Sequence, residues 1–296
     1  MMKVLITGAK GQVGSCVVQL LSGRPDVEVI AYDRDELDIT CARSVTEAVS
    51  NISPEVIINA AAYTAVDKAE DEVELSYLLN RDGPKHLALA AEANSCTLLH
   101  ISTDYVFDGT KPSPYRESDP TNPKTVYGRS KLEGERVVTD NCSKHVILRT
   151  AWVFGESGNN FVKTMLKLAK NRPELAVIGD QFGGPTYAGD IASALISIMD
   201  QLSAGNGVYG IYHFSGEPHV SWHEFACEIC VKAKERDILD VLPEVRKIKS
   251  EDYPTLAERP KNSRLDCSKI HNIFGITTSS WMTALNNIRD YDHESN

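Results

Sequence analysis

A phenol and an ammonium stand four residues apart at Tyr127 and Lys131 of "TVYGRSKLEGE", and on a helix that spacing puts them on one face. A tyrosine with an ordinary pKa near 10 is a poor acid–base group at neutral pH. A neighbouring ammonium favours the phenolate and is expected to lower that pKa toward a useful range. Alone, the spacing recurs by chance in many proteins. It gains weight from "HISTDYVFDG", where Ser102, Thr103 and Asp104 end an apolar run that reads as a sheet strand. Ligands of open α/β sheets bind beyond such strand ends. The Thr103 hydroxyl could hydrogen-bond a substrate oxygen beside Tyr127; strand-end capping is the structural alternative for Thr103 and Asp104. Gly128 directly follows the tyrosine, although glycine costs about 1 kcal/mol of helix propensity. Clearance for a ligand is the expected reason, and Gly128→Leu is then expected to harm turnover far more than stability.

A second constellation opens the chain. "VLITGAKGQVGSCVVQLL" places Gly8, Gly11 and Gly14 between an apolar strand and an amphipathic helix. The first glycine permits the tight turn, the second lets backbone approach a pyrophosphate, and the third lets the helix pack on the strand. The phosphates then sit at the helix N-terminus, where free N–H groups favour anions. Asp33 ends the second strand, 19 residues beyond Gly14. A carboxylate there can accept from the adenosine ribose hydroxyls and favours NADH. Arg34 beside it could pair with a 2′-phosphate instead, so NADPH stays equally open. Asp38 and Ile39 are plausible adenine neighbours, and the small residues Ala60 to Ala62 lie where a cofactor backbone must pass closely. With a dinucleotide in place, Lys131 can also hydrogen-bond the nicotinamide ribose.

The elements that must position these groups alternate. "KVLITGA", "VEVIAY", "EVIINAA", "CTLLHIST" and "HVILRTAWVF" read as strands, separated by helical segments at Gln12 to Ser22, near Ser44 to Ser50, across a long Ala- and Leu-rich stretch, and from about Tyr127. Short, almost wholly apolar strands are those buried on both faces of a parallel sheet. The alternation therefore predicts an α/β fold, a Rossmann-type doubly wound parallel sheet with a smaller C-terminal substrate lobe. Residues 1–155, with about 187–217, are assigned to the dinucleotide-binding domain, because "GVYGIYHFSG" looks like a strand rejoining the main sheet. Residues 156–186 and 218–296 are assigned to the smaller lobe, and pockets often form between such parts.

Bulk properties narrow the class. The 296 residues are 42% hydrophobic and 24% charged, with a net charge of −10, which argues against general nucleic-acid binding. No apolar stretch approaches the roughly 20 residues a bilayer span needs, and the N-terminus lacks the features of a signal peptide. Seven scattered cysteines suit reduced thiols in the cytoplasm. Cys227 and Cys230 form a CxxC without a second pair, which reads as buried helix cysteines rather than a zinc site. His219 and His223 lack the HExxH arrangement.

Taken together, TGxxGxxG, the Ser-Thr-Asp triplet and YxxxK resemble the extended short-chain dehydrogenase/reductase family. "NAAAYTAVDKAE", "STDYVFDGTKPSPYRESDPTNPKTVYGRSKLEGE", "RTAWVFG", "GNNFVKTMLKLAK", "DQFGGPT" and "RPKNSRLD" are similar, more narrowly, to its dTDP-4-dehydrorhamnose reductase family, from Lys3 to about Trp281. The resemblance implies hydride transfer from NADPH or NADH to the C4 ketone of a dTDP-linked deoxy-sugar, giving dTDP-L-rhamnose. It implies Tyr127 as proton donor, Lys131 as its electrostatic and ribose-binding partner, and Thr103, Asp104 and Trp152 as sugar contacts. Gly8, Gly11, Gln12, Val13, Gly14, Asp33, Asp38, Ile39, Ala61, Ala62 and Tyr63 would line the cofactor, with Asn80 near the nicotinamide and Gln181, Thr186 and Arg259 toward the nucleotide end. A homodimer is a family-level expectation. Some members hold magnesium through interface glutamates; "GSCVVQ" lacks a glutamate, so no metal is expected. Three alternatives remain. A nucleotide-sugar dehydratase would carry an acid after the aspartate where Tyr105 stands, and an epimerase would purify with NAD bound. A regulatory subunit of a methionine adenosyltransferase would need no reductase turnover.

Overall fold

The computed structural model describes residues 1–292. In chain order, β1 (Met2–Thr7), α1 (Gln12–Ser22), β2 (Val27–Tyr32), α2 (Ala42–Ile52) and β3 (Val56–Asn59) follow the expected rhythm. Then come α3 (Val73–Tyr77), a π turn (Leu78–Asp82), α4 (Gly83–Ala93), β4 (Thr97–Thr103), α5 (Val126–Asn141) and β5 (His145–Thr150). The chain goes on through β6 (Val153–Phe154), α6 (Phe161–Asn171), β7 (Glu174–Ile178), β8 (Phe182–Gly183), β9 (Thr186–Tyr187), α7 (Ala188–Ser203) and β10 (Gly210–His213). After these lie β11 (Val220–Ser221), α8 (Trp222–Glu235) and β12 (Glu244–Ile248).

Six strands form one parallel sheet in the order β10-β5-β4-β3-β1-β2. The strand at 210–213 thus rejoins the main sheet beside β5. Successive side chains on a strand point to opposite faces, and β1 shows what that builds. Val4 and Ile6 join one core with α1 and α7, whereas Leu5 joins a second core with α2, α4 and α5. All three are fully buried, so Leu5→Ala would cost about 2–5 kcal/mol. Helices on both faces of the sheet explain why the strands read as unbroken apolar runs. A third core gathers Phe154, Val162, Leu166, Val177, Phe225, Ile229 and Trp281 around α6 and α8.

The Ala- and Leu-rich stretch is not one helix. Pro84, in the first turn of α4, has no N–H to give to the Asn80 carbonyl four residues earlier, and a proline there breaks regular winding. The chain passes through a π turn at Leu78–Asp82 instead, a feature that often marks functional positions. Gly134 of α5 packs so closely that a Cβ there would press on the Asn80 carbonyl. Asn80 is fully buried and faces the sheet's carboxyl rim.

Candidate active site

Strand register brings the polar ends of the strands together. Thr7 lies opposite Asn59, Asn59 opposite His100, and Thr103 opposite Thr150. Beyond Thr103 the chain makes a single 3-10 turn, Asp104–Val106, and the Thr103 hydroxyl accepts from the Tyr105 N–H at 3.2 Å. The same hydroxyl donates to Asp104 Oδ1 at 3.0 Å. Strand-end capping therefore occurs, and it leaves the Thr103 hydroxyl beside the Tyr127 phenol. Asp104 is buried, its Oδ2 has no partner, and burial pushes its pKa up to about 6.

Helix α5 starts where its cap dictates: the Thr125 side chain accepts from the Gly128 N–H at 3.0 Å, satisfying one free donor of the first turn. Tyr127 and Lys131 follow on one face, both buried. Lys131 Nζ donates to the Ile101 carbonyl at 2.7 Å, fixing the ammonium to the last turn of β4. The expected depression of the Tyr127 pKa is not what the structure contains. Burial dominates and pushes the phenol above its ordinary value, opposed by the neighbouring Thr103 hydroxyl. The ammonium is the group that moves down, to about 8, because it too is buried. Desolvation sets the direction of both shifts once the two groups leave water.

Gly128 also has another reason than the expected one. A Cβ there would run into the Tyr105 backbone carbonyl and approach Pro123 Cβ at 3.1 Å. The space is taken by the turn that carries Asp104, not by room for a ligand. The Tyr105 ring meets Tyr127 edge-on, with centroids 5.4 Å apart.

At the opposite side of the rim, Gly8 adopts φ +71°, and a Cβ on it would lie 2.6 Å from the Ala61 nitrogen. A Cβ on Gly14 would strike the Gly8 carbonyl. Loop, helix and the β3 exit thus touch backbone to backbone, which explains why Gly8 and Gly14 carry no side chain. Helix α1 opens with no side-chain cap and no acid in its first turn; the Gly11 N–H is spent on the Gly8 carbonyl at 3.0 Å, and the first-turn N–H groups of Gln12 and Val13 are left for an anion. These residues fit a dinucleotide's pyrophosphate. Asp33 is half-buried and pairs with Lys10 at 3.8 Å. Asp38 Oδ1 accepts from the Thr40 N–H and hydroxyl, at 2.9 and 2.7 Å, and Ile39 is buried against Gly83. Asn59 Oδ1 takes the Thr7 hydroxyl at 2.8 Å and the Ala61 N–H at 3.1 Å. Asn80 grips the backbone of Tyr63 from both sides, accepting from its N–H at 2.8 Å and donating to its carbonyl at 3.0 Å. Asn59 is a residue the sequence reading missed; its signal was one polar residue closing an otherwise apolar strand.

The remaining candidates divide. Trp152 has φ +49° and stacks on Trp222 at 3.5 Å, with the Gly183 backbone against its edge. Gln181 and Arg259 line one cavity of about 710 Å³ with the cations Lys111, Lys261 and Arg264. Arg259 joins that cavity to the reacting face. It donates to the Tyr105 hydroxyl at 2.9 Å and pairs with Asp67. Thr186 does not reach the cavity: its hydroxyl donates to the Gly184 carbonyl at 2.9 Å and accepts from the Gly216 N–H at 3.1 Å.

A parallel sheet with a glycine-rich turn at its first strand and a Thr–Tyr–Lys set on its carboxyl rim defines an NAD(P)H-dependent oxidoreductase of the Rossmann type. The comparisons narrow this. The family described as "RmlD substrate binding domain" matches residues 2–292, and the chain belongs to it. A dTDP-4-dehydrorhamnose reductase of Aggregatibacter actinomycetemcomitans is 53% identical over 98% of this chain and 99% of its own length. The crystal structure of a dTDP-4-dehydrorhamnose reductase from Clostridium acetobutylicum superposes with a TM-score of 0.91, at 40% identity over 98% of this chain and 99% of that one. One from Bacillus anthracis, solved in complex with NADP, has a TM-score of 0.89 at 36% identity over 98% and 99% of the two chains.

Proposed function

We propose that this protein reduces the C4 ketone of dTDP-4-dehydro-L-rhamnose to dTDP-L-rhamnose, with Tyr127 as proton donor. The observation that carries the reading is the juxtaposition of Tyr127 with the Thr103 hydroxyl on the carboxyl rim, backed by the Lys131 ammonium. When bound, the reduced nicotinamide supplies the hydride. The protein's own groups do the rest. Reduction needs a loaded acid, and burial keeps the Tyr127 proton in place at neutral pH. As negative charge grows on the C4 oxygen, Tyr127 passes its proton to that oxygen. The Thr103 hydroxyl, whose one proton rests on Asp104 Oδ1, turns it to the phenolate left behind, and Lys131, still mainly charged near pH 7, adds its field from the same helix face.

Asp104 and Trp152 are assigned to the sugar, and residues 156–186 and 218–296, of which 293–296 lie outside the described residues, to the substrate-binding lobe. The cations of the 710 Å³ cavity suit the diphosphate and Gln181 the base. Gly8, Gly11, Gln12, Val13 and Gly14 are assigned to the cofactor phosphates, with Asp33, Asp38 and Ile39 to the adenosine and Ala61, Ala62 and Tyr63 to its passage along the rim. Tyr105 favours reduction over dehydration. Its hydroxyl is held by Arg259 and pushed up to about 12 by burial, which suits it poorly to replace the missing acid. The test is oxidation of NADPH and NADH with dTDP-4-dehydro-L-rhamnose, the product identified by chromatography. Formation of dTDP-L-rhamnose supports the reading, and no cofactor oxidation with this sugar refutes it.

A further inference from the structure

One buried group behind the reacting face has so far no part in the chemistry. Glu135 stands four residues beyond Lys131 and eight beyond Tyr127, on the same face of α5. It is 2% exposed. Its carboxylate takes the Arg149 guanidinium with both oxygens, at 2.8 and 2.6 Å. Its Oε1 also accepts from the Ser102 hydroxyl at 2.5 Å. Ser102 and Arg149 are register partners on β4 and β5, so one side chain clamps two paired strands to one helix. The clamp lies between two working residues of β4. Ile101, whose carbonyl holds the Lys131 ammonium, precedes Ser102, and Thr103 follows it.

We propose that Glu135 is a positioning residue for the Tyr127–Lys131 pair, setting how α5 seats on the β4–β5 edge and standing as the negative charge behind the ammonium. The inference rests on the function proposed above. Two physical points favour it over mere stabilisation. A buried ion pair is a weak source of stability, because desolvation of both ions offsets their attraction. And the clamp seats α5, which carries the phenol and the ammonium, on β4, which carries the Thr103 hydroxyl, with β5 as its brace; an error of about 1 Å in such placement can cost about 100-fold in rate.

The charged and titratable groups around Lys131 come from each packed element. Tyr127 and Glu135 share its helix. His100 on β4 is held neutral by burial, and Arg149 on β5 has its charge met by Glu135. The α3–α4 segment presents the uncharged Ser76 and Asn80 to α5 through Ser130. Glu135 is the group that opposes the downward pull of burial on the ammonium. Removing its charge, and so leaving Arg149 unmatched, moves Lys131 further down.

The experiment measures kcat, KM and the pH dependence of kcat for the full chain, Glu135→Gln and Ser102→Ala, with NADPH and dTDP-4-dehydro-L-rhamnose. Glu135→Gln should lower kcat at least about tenfold with both KM values within about twofold. Its loss of activity at alkaline pH should begin at least about half a pH unit lower than in the unaltered protein. Ser102→Ala keeps the charge and loses only the strand contact, so kcat should fall with the alkaline limb in place. Unchanged kcat and limb in Glu135→Gln would overturn the proposal while leaving the proposed function standing. If Glu135→Gln does not fold, Ser102→Ala decides: an unchanged kcat overturns the positioning role. No turnover in the unaltered protein overturns both readings together.

Discussion

Asp104→Asn removes a charge from a place water does not reach. The carboxyl is 4% exposed, one oxygen has no partner, and burial raises its pKa from 3.8 to about 6, with Ser263, Thr103 and Arg259 opposing. The folded-state pKa is above the unfolded one, so folding favours the neutral acid. That contribution is fully present below about pH 4 and is lost as pH rises through about 6. A displacement of about two units corresponds to roughly 3 kcal/mol of penalty above pH 7. At pH 4.5 most of it is absent, so the stability gap between variant and parent should widen by about 2 kcal/mol from pH 4.5 to 7.5 in favour of asparagine. Urea unfolding followed by tryptophan fluorescence at the two pH values reads this directly, because Asn retains the acceptor for the Thr103 hydroxyl. The proposed sugar contact predicts that the variant's KM for the sugar nucleotide rises. A gap that stays constant with pH would refute the argument that a buried, charged Asp104 is kept for binding at the expense of stability.

Three other substitutions probe the frame of the site. Gly128→Ala should destabilise by about 1–3 kcal/mol in urea unfolding, since its Cβ meets the backbone of the Asp104 turn; a gain in stability would contradict this. Asn80→Ala frees both polar groups of Tyr63 and should raise the Kd for NADPH severalfold, at a stability cost of about 1–3 kcal/mol, as read by fluorescence titration. Gly14→Ala pushes α1 off the Gly8 carbonyl and should weaken NADPH binding more than sugar-nucleotide binding, which calorimetry distinguishes.

Much of this was legible in the residues because local chemistry and long-range packing agree. The glycine spacing, the apolar strands and the four-residue Tyr127–Lys131 step each dictate a backbone geometry that the fold uses. What could not be read depends on which atoms meet across the chain. The Tyr127 pKa runs opposite to the simple pairing argument because burial of both partners is a property of the packed core. The role of Gly128 was hidden for the same reason: its neighbour is a carbonyl 23 residues earlier in the chain. Thr186 looked like a ligand contact but serves the loop around Gly184 and Gly216. The break at Leu78–Asp82 had a visible signal in Pro84, masked by the helical composition on either side.

The proton donor is the centre of the account, and Tyr127→Phe tests it most directly. With saturating NADPH and dTDP-4-dehydro-L-rhamnose, kcat should fall by about 100-fold or more, while the Kd for NADPH stays within about twofold because the ring and its packing on Tyr105 remain. Turnover near that of the unaltered protein would show that another group delivers the proton.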